Sequence, residues 1–227
     1  MARHSRLAVL DALYAQGMLP IFYHAELETC KTVTEACAEG GSTLIEFTNR
    51  GDRAFLRFTE LEEYCAQSLP HMILGAGSII DSETAAFYIN AGANFIVGPN
   101  FEPEIAKLCN KRKVAYIPGC ASVSEIVTAY EAGVEFVKIF PAQEVGGPSF
   151  IRALKGPLPQ VSIVATGGVE INDSLKGWFD AGVSVVGLGA SLFPAAALKS
   201  RDRAAIATLV KKAIEAVLGA KSKSPIK

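Results

Sequence analysis

Short apolar runs alternate with longer stretches of helical periodicity along almost the whole chain. The runs over 18–23, 72–74, 114–117 and 161–164 are a few residues long and are followed by turn or cap residues, which is the pattern of buried strands. Four more runs share a local sequence: Glu39-Gly40-Gly41 before 42–47, Asn90-Ala91-Gly92 before 95–97, Glu131-Ala132-Gly133 before 134–138, and Asp180-Ala181-Gly182 before 183–186. In each, a helix end meets a glycine suited to left-handed backbone, and a buried strand follows. Gly40, Gly92, Gly133 and Gly182 lie 52, 41 and 49 residues apart, so each interval has room for two strand–helix units. Helical periodicity fills roughly 26–39, 53–68, 82–91, 102–111, 122–132, 148–154, 172–180 and 200–218, and an amphipathic stretch over 5–16 precedes the first strand. The pattern predicts an α/β fold, a (β/α)8 TIM barrel with an extra N-terminal helix. It forms one domain over 1–220, with a frayed tail over 221–227. An open doubly wound sheet is the runner-up, but no GxGxxG follows the first strand.

Composition changes this picture little. At 227 residues, half of them apolar, the chain is the size of one such barrel and can bury a large core. A net charge of -1, with acids and bases interspersed, excludes a nucleic-acid or membrane surface, so any anionic ligand must be met by local donors. The five cysteines form no CxxC pair and the three histidines are scattered, so neither a disulfide framework nor a metal site is expected. The N-terminus lacks an apolar signal core, and the cysteines suit a reducing compartment, so a cytoplasmic protein is expected.

Chemistry in such a barrel sits at the C-terminal ends of the strands. Lys138 stands inside the apolar run Val134-Glu-Phe-Val-Lys138-Ile-Phe140. Burying an ammonium costs several kcal/mol, so this lysine pairs with an acid, snorkels to water, or gives up its proton. A neutral amine is a nucleophile for carbonyl carbon. Strand alternation puts Phe136, Lys138 and Phe140 on one face, which directs the amine inward between aromatic rings. On the second strand Glu46, Thr48 and Arg50 share one parity and Ile45 and Phe47 the other. The polar trio is therefore directed into the barrel mouth, as an internal ion pair or as a general acid/base beside a carboxylate clamp. Glu46, four strands from Lys138, faces it across the mouth. The third strand ends in Gly75-Ala-Gly77-Ser78, which either lets a ligand approach the backbone beside a hydroxyl or makes a tight turn with a serine cap. The last two strands end in Thr166-Gly167-Gly168 and Gly187-Leu-Gly189-Ala190. Such glycine loops bind phosphate through backbone N–H groups in barrel enzymes, or only serve turns.

Taken together, Gly40-Gly41, Glu46-Phe-Thr-Asn-Arg50, Gly75-Ala-Gly-Ser78, Ile117-Pro-Gly119, Val137-Lys-Ile-Phe-Pro141, Thr166-Gly-Gly168 and Gly187-Leu-Gly189 resemble the class I aldolases for 2-keto-3-deoxy-6-phosphogluconate (KDPG) and 4-hydroxy-2-oxoglutarate (KHG). The resemblance runs from about Met18 to Pro194. It implies a homotrimeric barrel with no cofactor or metal, acting on a small 2-keto acid. By that resemblance Lys138 would form the Schiff base and Glu46 would move protons. Arg50 and the Gly75, Gly77 and Ser78 turn would hold the carboxylate. Thr48, Phe140, Pro141 and Thr166 would complete the substrate pocket, and Gly167, Gly168, Gly189 and Ala190 would hold phosphate. The chain departs from the family in Ala165, where proline is usual, in Ala190, where a phosphate-binding serine is common, and in Asn100, where a small residue is common. Two other functions fit parts of the pattern. A phosphate-barrel isomerase or epimerase would need a second inward acid beside Glu46. A non-catalytic anion-binding barrel would leave Lys138, Glu46 and Arg50 without a purpose.

Overall fold

A computed structural model describes residues 2–222. The elements in its first half are α1 (Arg6–Gln16), β1 (Met18–Phe22), α2 (Leu27–Glu39), β2 (Leu44–Thr48), α3 (Ala54–Ser68), β3 (Ile73–Gly77), α4 (Ser82–Asn90), β4 (Phe95–Val97), α5 (Pro103–Arg112) and β5 (Ala115–Ile117). They continue with β6 (Gly119–Cys120), α6 (Val123–Glu131), β7 (Phe136–Ile139), α7 (Gly147–Lys155), β8 (Ser162–Thr166), α8 (Leu175–Asp180), β9 (Val185–Leu188), α9 (Ala195–Ser200) and α10 (Arg203–Ser222).

All strand pairs are parallel, in the order β5-β4-β3-β2-β1-β9-β8-β7-β6. Nine strands make eight staves because β5 and β6 are one stave interrupted at Pro118, which has no N–H for the ladder. β5 pairs with β4 and β6 with β7, so the ring closes through this proline, whose carbonyl accepts the Lys138 N–H at 2.7 Å. The barrel expected from the sequence is the barrel found.

Alternation along the staves builds two cores. Side chains of one parity pack outward under the helices, with Ile45, Phe47, Leu74, Val137, Ile163 and Val186 among them. Those of the other parity fill the barrel: Leu19, Leu44, Ile73, Phe95, Ala115, Phe136, Val164 and Val185, one from each stave. α1 closes the N-terminal end of this inner core with Val9, Leu10 and Leu13, and Ser5 caps the helix by accepting the Ala8 N–H. The inner bottom is thus apolar and sealed, and the same inward parity two residues further along reaches Glu46, Lys138 and Thr166. In the outer layer Trp178 on α8 is 1% exposed. Trp178→Ala is expected to cost about 3–5 kcal/mol, measured as a lowered urea midpoint.

Three local expectations are corrected. At the first helix end Gly41, not Gly40, takes the left-handed conformation (φ 92 against -73). Gly40 is glycine for a different reason, since a Cβ there would lie 2.7 Å from Val210 of α10. The helix expected over 172–180 begins only at Leu175, because Asn172 Oδ1 accepts from both the N–H and the hydroxyl of Ser174 and holds that turn out of the helix. The helix expected over 200–218 is preceded by α9, which stops where Arg201 turns left-handed (φ 51), and it then runs to Ser222. The tail expected over 221–227 lies, from residue 223 on, outside the described residues.

Candidate active site

Lys138 on β7 is 6% exposed and Glu46 on β2 is 1% exposed. They are the only buried ionisable residues besides the cysteines and tyrosines among the described residues, and they make no ion pair with each other. Glu46 Oε2 is buried without a hydrogen-bond partner. Burial disfavours the charged form of each group, pushing the Glu46 carboxyl up and the Lys138 amine down. Their mutual attraction opposes both shifts, while the Arg50 charge lowers both. The amine sits 4.8 Å from the Phe140 ring centroid, so one wall of its pocket is aromatic. Gly77 on β3 makes room for the acid, since a Cβ there would come within 1.8 Å of Glu46 Oε1. Gly75 makes the same allowance for the Phe95 ring, at 2.2 Å.

The remaining residues read from the sequence surround this pair at the C-terminal rim. Thr48 ends β2 and donates its hydroxyl to the Phe22 carbonyl at 3.3 Å, so it ties β2 to β1 rather than standing free in the mouth. Arg50 is exposed two residues beyond β2, and its Nε donates to Ser78 Oγ at 3.3 Å. Ser78 itself is left-handed (φ 60) and does not cap the next helix; Asp81 does, accepting the Thr84 N–H. Phe140 and Pro141 follow β7 across a cis peptide bond. Thr166 ends β8 with its hydroxyl buried and unpartnered, and Gly187 beside it lacks a Cβ that would meet that hydroxyl at 2.4 Å. Gly167 and Gly168 are both left-handed, with φ 94 and 79. Their loop is zipped to the one after β7, because Ala142 N–H donates to Thr166 O at 2.8 Å and Gln143 N–H to Gly167 O at 3.0 Å. Gly189 and Ala190 open the turn after β9, in which Gly189 O accepts from Leu192 and Phe193 N–H. Asn100 lies exposed after β4, and Ala165 is buried on β8 in the outer layer. No group of three His, Cys, Asp or Glu side chains that could hold a metal ion occurs among the described residues.

Sequence reasoning did not single out Ile21, Gln143, Tyr23 or Tyr88. Ile21 Cδ1 bounds the space beside Gly187, and Gln143 packs on Gly168. Tyr23, just beyond β1, and Tyr88 on α4 flank the Arg50 turn. Parity could have found Ile21, which is inward on β1. The others act across elements distant in sequence and leave no local signal.

A closed parallel barrel whose mouth holds a desolvated lysine opposite a desolvated carboxyl group, with an arginine at the rim, defines a class I aldolase, an enzyme that breaks carbon–carbon bonds through a lysine imine. Comparison with known proteins narrows this. Residues 9–209 match the model of the aldolase family described as KDPG and KHG aldolase. The chain is 34% identical over 211 residues to the 2-dehydro-3-deoxy-phosphogluconate aldolase of Pseudomonas aeruginosa, covering 92% of this chain and 94% of that one. It is 31% identical over 199 residues to the KHG/KDPG aldolase of Escherichia coli K12, covering 87% and 91%. Among solved structures it resembles a KDPG aldolase of Legionella pneumophila with pyruvate captured as a covalent carbinolamine intermediate, at TM-score 0.78 and 29% identity, covering 88% of this chain and 95% of that one. The chain belongs to the KDPG and KHG aldolase family.

Proposed function

We propose that the protein cleaves a 2-keto-4-hydroxy acid, KDPG or KHG, to pyruvate and an aldehyde, with Lys138 as the nucleophile. The observation that carries this is the burial of the Lys138 amine opposite Glu46, which favours its neutral form and leaves it uncommitted to an ion pair. The neutral Nζ adds to the keto carbon, and loss of water from the carbinolamine gives a protonated imine. That cation draws in the electron pair of the C3–C4 bond as the C4 hydroxyl loses its proton and leaves as aldehyde. The resulting enamine is reprotonated at C3, and hydrolysis releases pyruvate and the free lysine. Glu46, whose Oε2 has no protein partner, serves the proton transfers at the carbinolamine, at the C4 hydroxyl and at C3. Arg50, Ser78 and the Gly75–Gly77 backbone take the carboxylate, and the unpartnered Thr166 hydroxyl takes a substrate hydroxyl. Thr48 and Pro141 shape the pocket, Phe140 packs on the substrate, and Gly167, Gly168, Gly189 and Ala190 meet its distal anionic end with N–H groups. The test is incubation with pyruvate and borohydride followed by peptide mass spectrometry. A reduced pyruvyl adduct on Lys138 is expected, and folded protein that acquires none there rules the mechanism out.

The same reading gives one working domain over 1–220, homotrimeric, in the cytoplasm, where the five buried free cysteines stay reduced. No helix among the described residues is long and apolar enough to cross a membrane. Assembly is supported by the apolar side chains Leu56 on α3, Ile80 before α4 and Phe87 on α4, which are 48%, 60% and 63% exposed. A structural neighbour at 26% identity, moreover, is a protein cage designed by fusing symmetric oligomeric domains. Light scattering is expected to give three times the 24.1 kDa chain mass. Phe87→Asp is expected to shift the protein to monomer, and an unchanged mass would place the contact elsewhere.

A further inference from the structure

We propose that Tyr88 and Asn49, neither of which reaches the mouth, are positioning residues that hold Arg50 for the substrate carboxylate and so set the preference for a keto acid over a plain ketone. This rests on the carboxylate role given to Arg50 above. An exposed arginine gives up rotamer freedom when it is fixed. One hydrogen bond at 3.3 Å to Ser78 Oγ does little to hold it. The direction of its side chain is therefore set mainly by the backbone of Asn49-Arg50-Gly51, and that backbone is gripped from three sides. Asn49 N–H donates to Gly77 O at 2.8 Å, which ties the turn to β3. Asn49 Oδ1 accepts the Tyr88 hydroxyl at 3.0 Å. Gly51 lies against Tyr23 so closely that a Cβ would come within 2.0 Å of the phenol oxygen.

Tyr88 is suited to hold its partner still. It is 1% exposed, and its ring is wedged edge-on by Phe58 and Phe55, at 4.9 and 5.6 Å between centroids. Burial also pushes its phenol well above the ordinary tyrosine range, so it remains a donor at every working pH. Asn49 points away from the barrel axis, as its parity opposite Thr48 requires, and meets Tyr88 in the layer behind the strands. The arrangement is a rigid post behind the rim, with the arginine one residue away on its open side.

A purely structural hydrogen bond would, when lost, weaken every activity together. A positioning bond weakens only the step that uses the carboxylate. Tyr88→Phe keeps the ring and removes the hydroxyl, and Asn49→Ala removes the acceptor from the other side. Imine formation is read by borohydride trapping with pyruvate and, separately, with acetone, which has no carboxylate, alongside KM and kcat for cleavage. Both variants are expected to raise KM for the keto acid about 5–10-fold with kcat within about twofold, to lower pyruvate trapping, and to trap acetone as wild type does. Arg50→Met is the reference, expected to lower pyruvate trapping far more than acetone trapping. If Arg50→Met lowers both alike, the carboxylate reading fails and the inference with it. If Arg50→Met discriminates but Tyr88→Phe and Asn49→Ala leave KM unchanged, or lower both trappings equally, the clamp stands and its positioning by these residues is overturned.

Discussion

Lys138→Ala is expected to lower the cleavage rate by about 10⁴-fold or more and to remove the borohydride-trapped adduct, while the barrel remains folded. The nucleophile has no substitute, since Lys138 is the only buried lysine among the described residues and an exposed ammonium is protonated at neutral pH. Circular dichroism and the melting temperature distinguish lost chemistry from lost structure. The sign of the stability change follows from the depressed pKa. Above the ordinary lysine value of 10.5 the amine is neutral in both folded and unfolded chains. As pH falls below that value the unfolded chain gains a proton that the folded site resists, so the buried lysine becomes a growing liability. Lys138→Met, which fills the same volume without the amine, is therefore expected to raise the melting temperature, and to raise it more at neutral pH than near pH 10.5. Turnover retained in Lys138→Ala, or an adduct recovered on another lysine, would sink the imine mechanism.

Glu46→Gln is expected to lower kcat by about 10²–10⁴-fold, the usual worth of a positioned general acid/base, while still allowing slow adduct formation on Lys138. Glutamine keeps the shape of the side chain, so the loss reports proton transfer rather than packing. A pH shift separates this from a steric effect. The Glu46 charge raises the Lys138 pKa, partly offsetting desolvation. Removing it is expected to move the acidic limb of imine formation to lower pH. A limb that moves up, or a kcat unchanged by the substitution, would take Glu46 out of the proton path. Gly77 belongs to the same device, because any side chain there would drive into the Glu46 carboxyl group.

Much of this site was legible in the sequence because a strand is a ruler with a period of two. Once 44–48 and 136–139 are strands, the parity of Glu46 and Lys138 follows, and a polar residue on the parity of Leu44 or Phe136 must point into the barrel. The glycine loop after β8 was legible for a similar reason, since Gly167 and Gly168 both take the left-handed backbone that few residues besides glycine suit. The role of a glycine was less legible than its presence. Gly40 and Gly41 are adjacent, yet one answers to Val210 of α10 and the other to a left-handed turn. Only the packed structure separates them.

The sequence by itself determined the barrel, its direction and the identity of the inward polar residues, because these follow from periodicity, which is local. The tertiary structure decided what is long-range. It joined β5 and β6 into one stave through Pro118, and it turned Thr48 from a free hydroxyl into a tie to Phe22. It also placed Tyr88 behind Asn49 across 39 residues of chain. It decided the direction of the pKa shifts as well. The shifts of Lys138 and Glu46 come first from the exclusion of water, which is a property of the closed barrel and α1 beneath it rather than of either residue's neighbours in the chain.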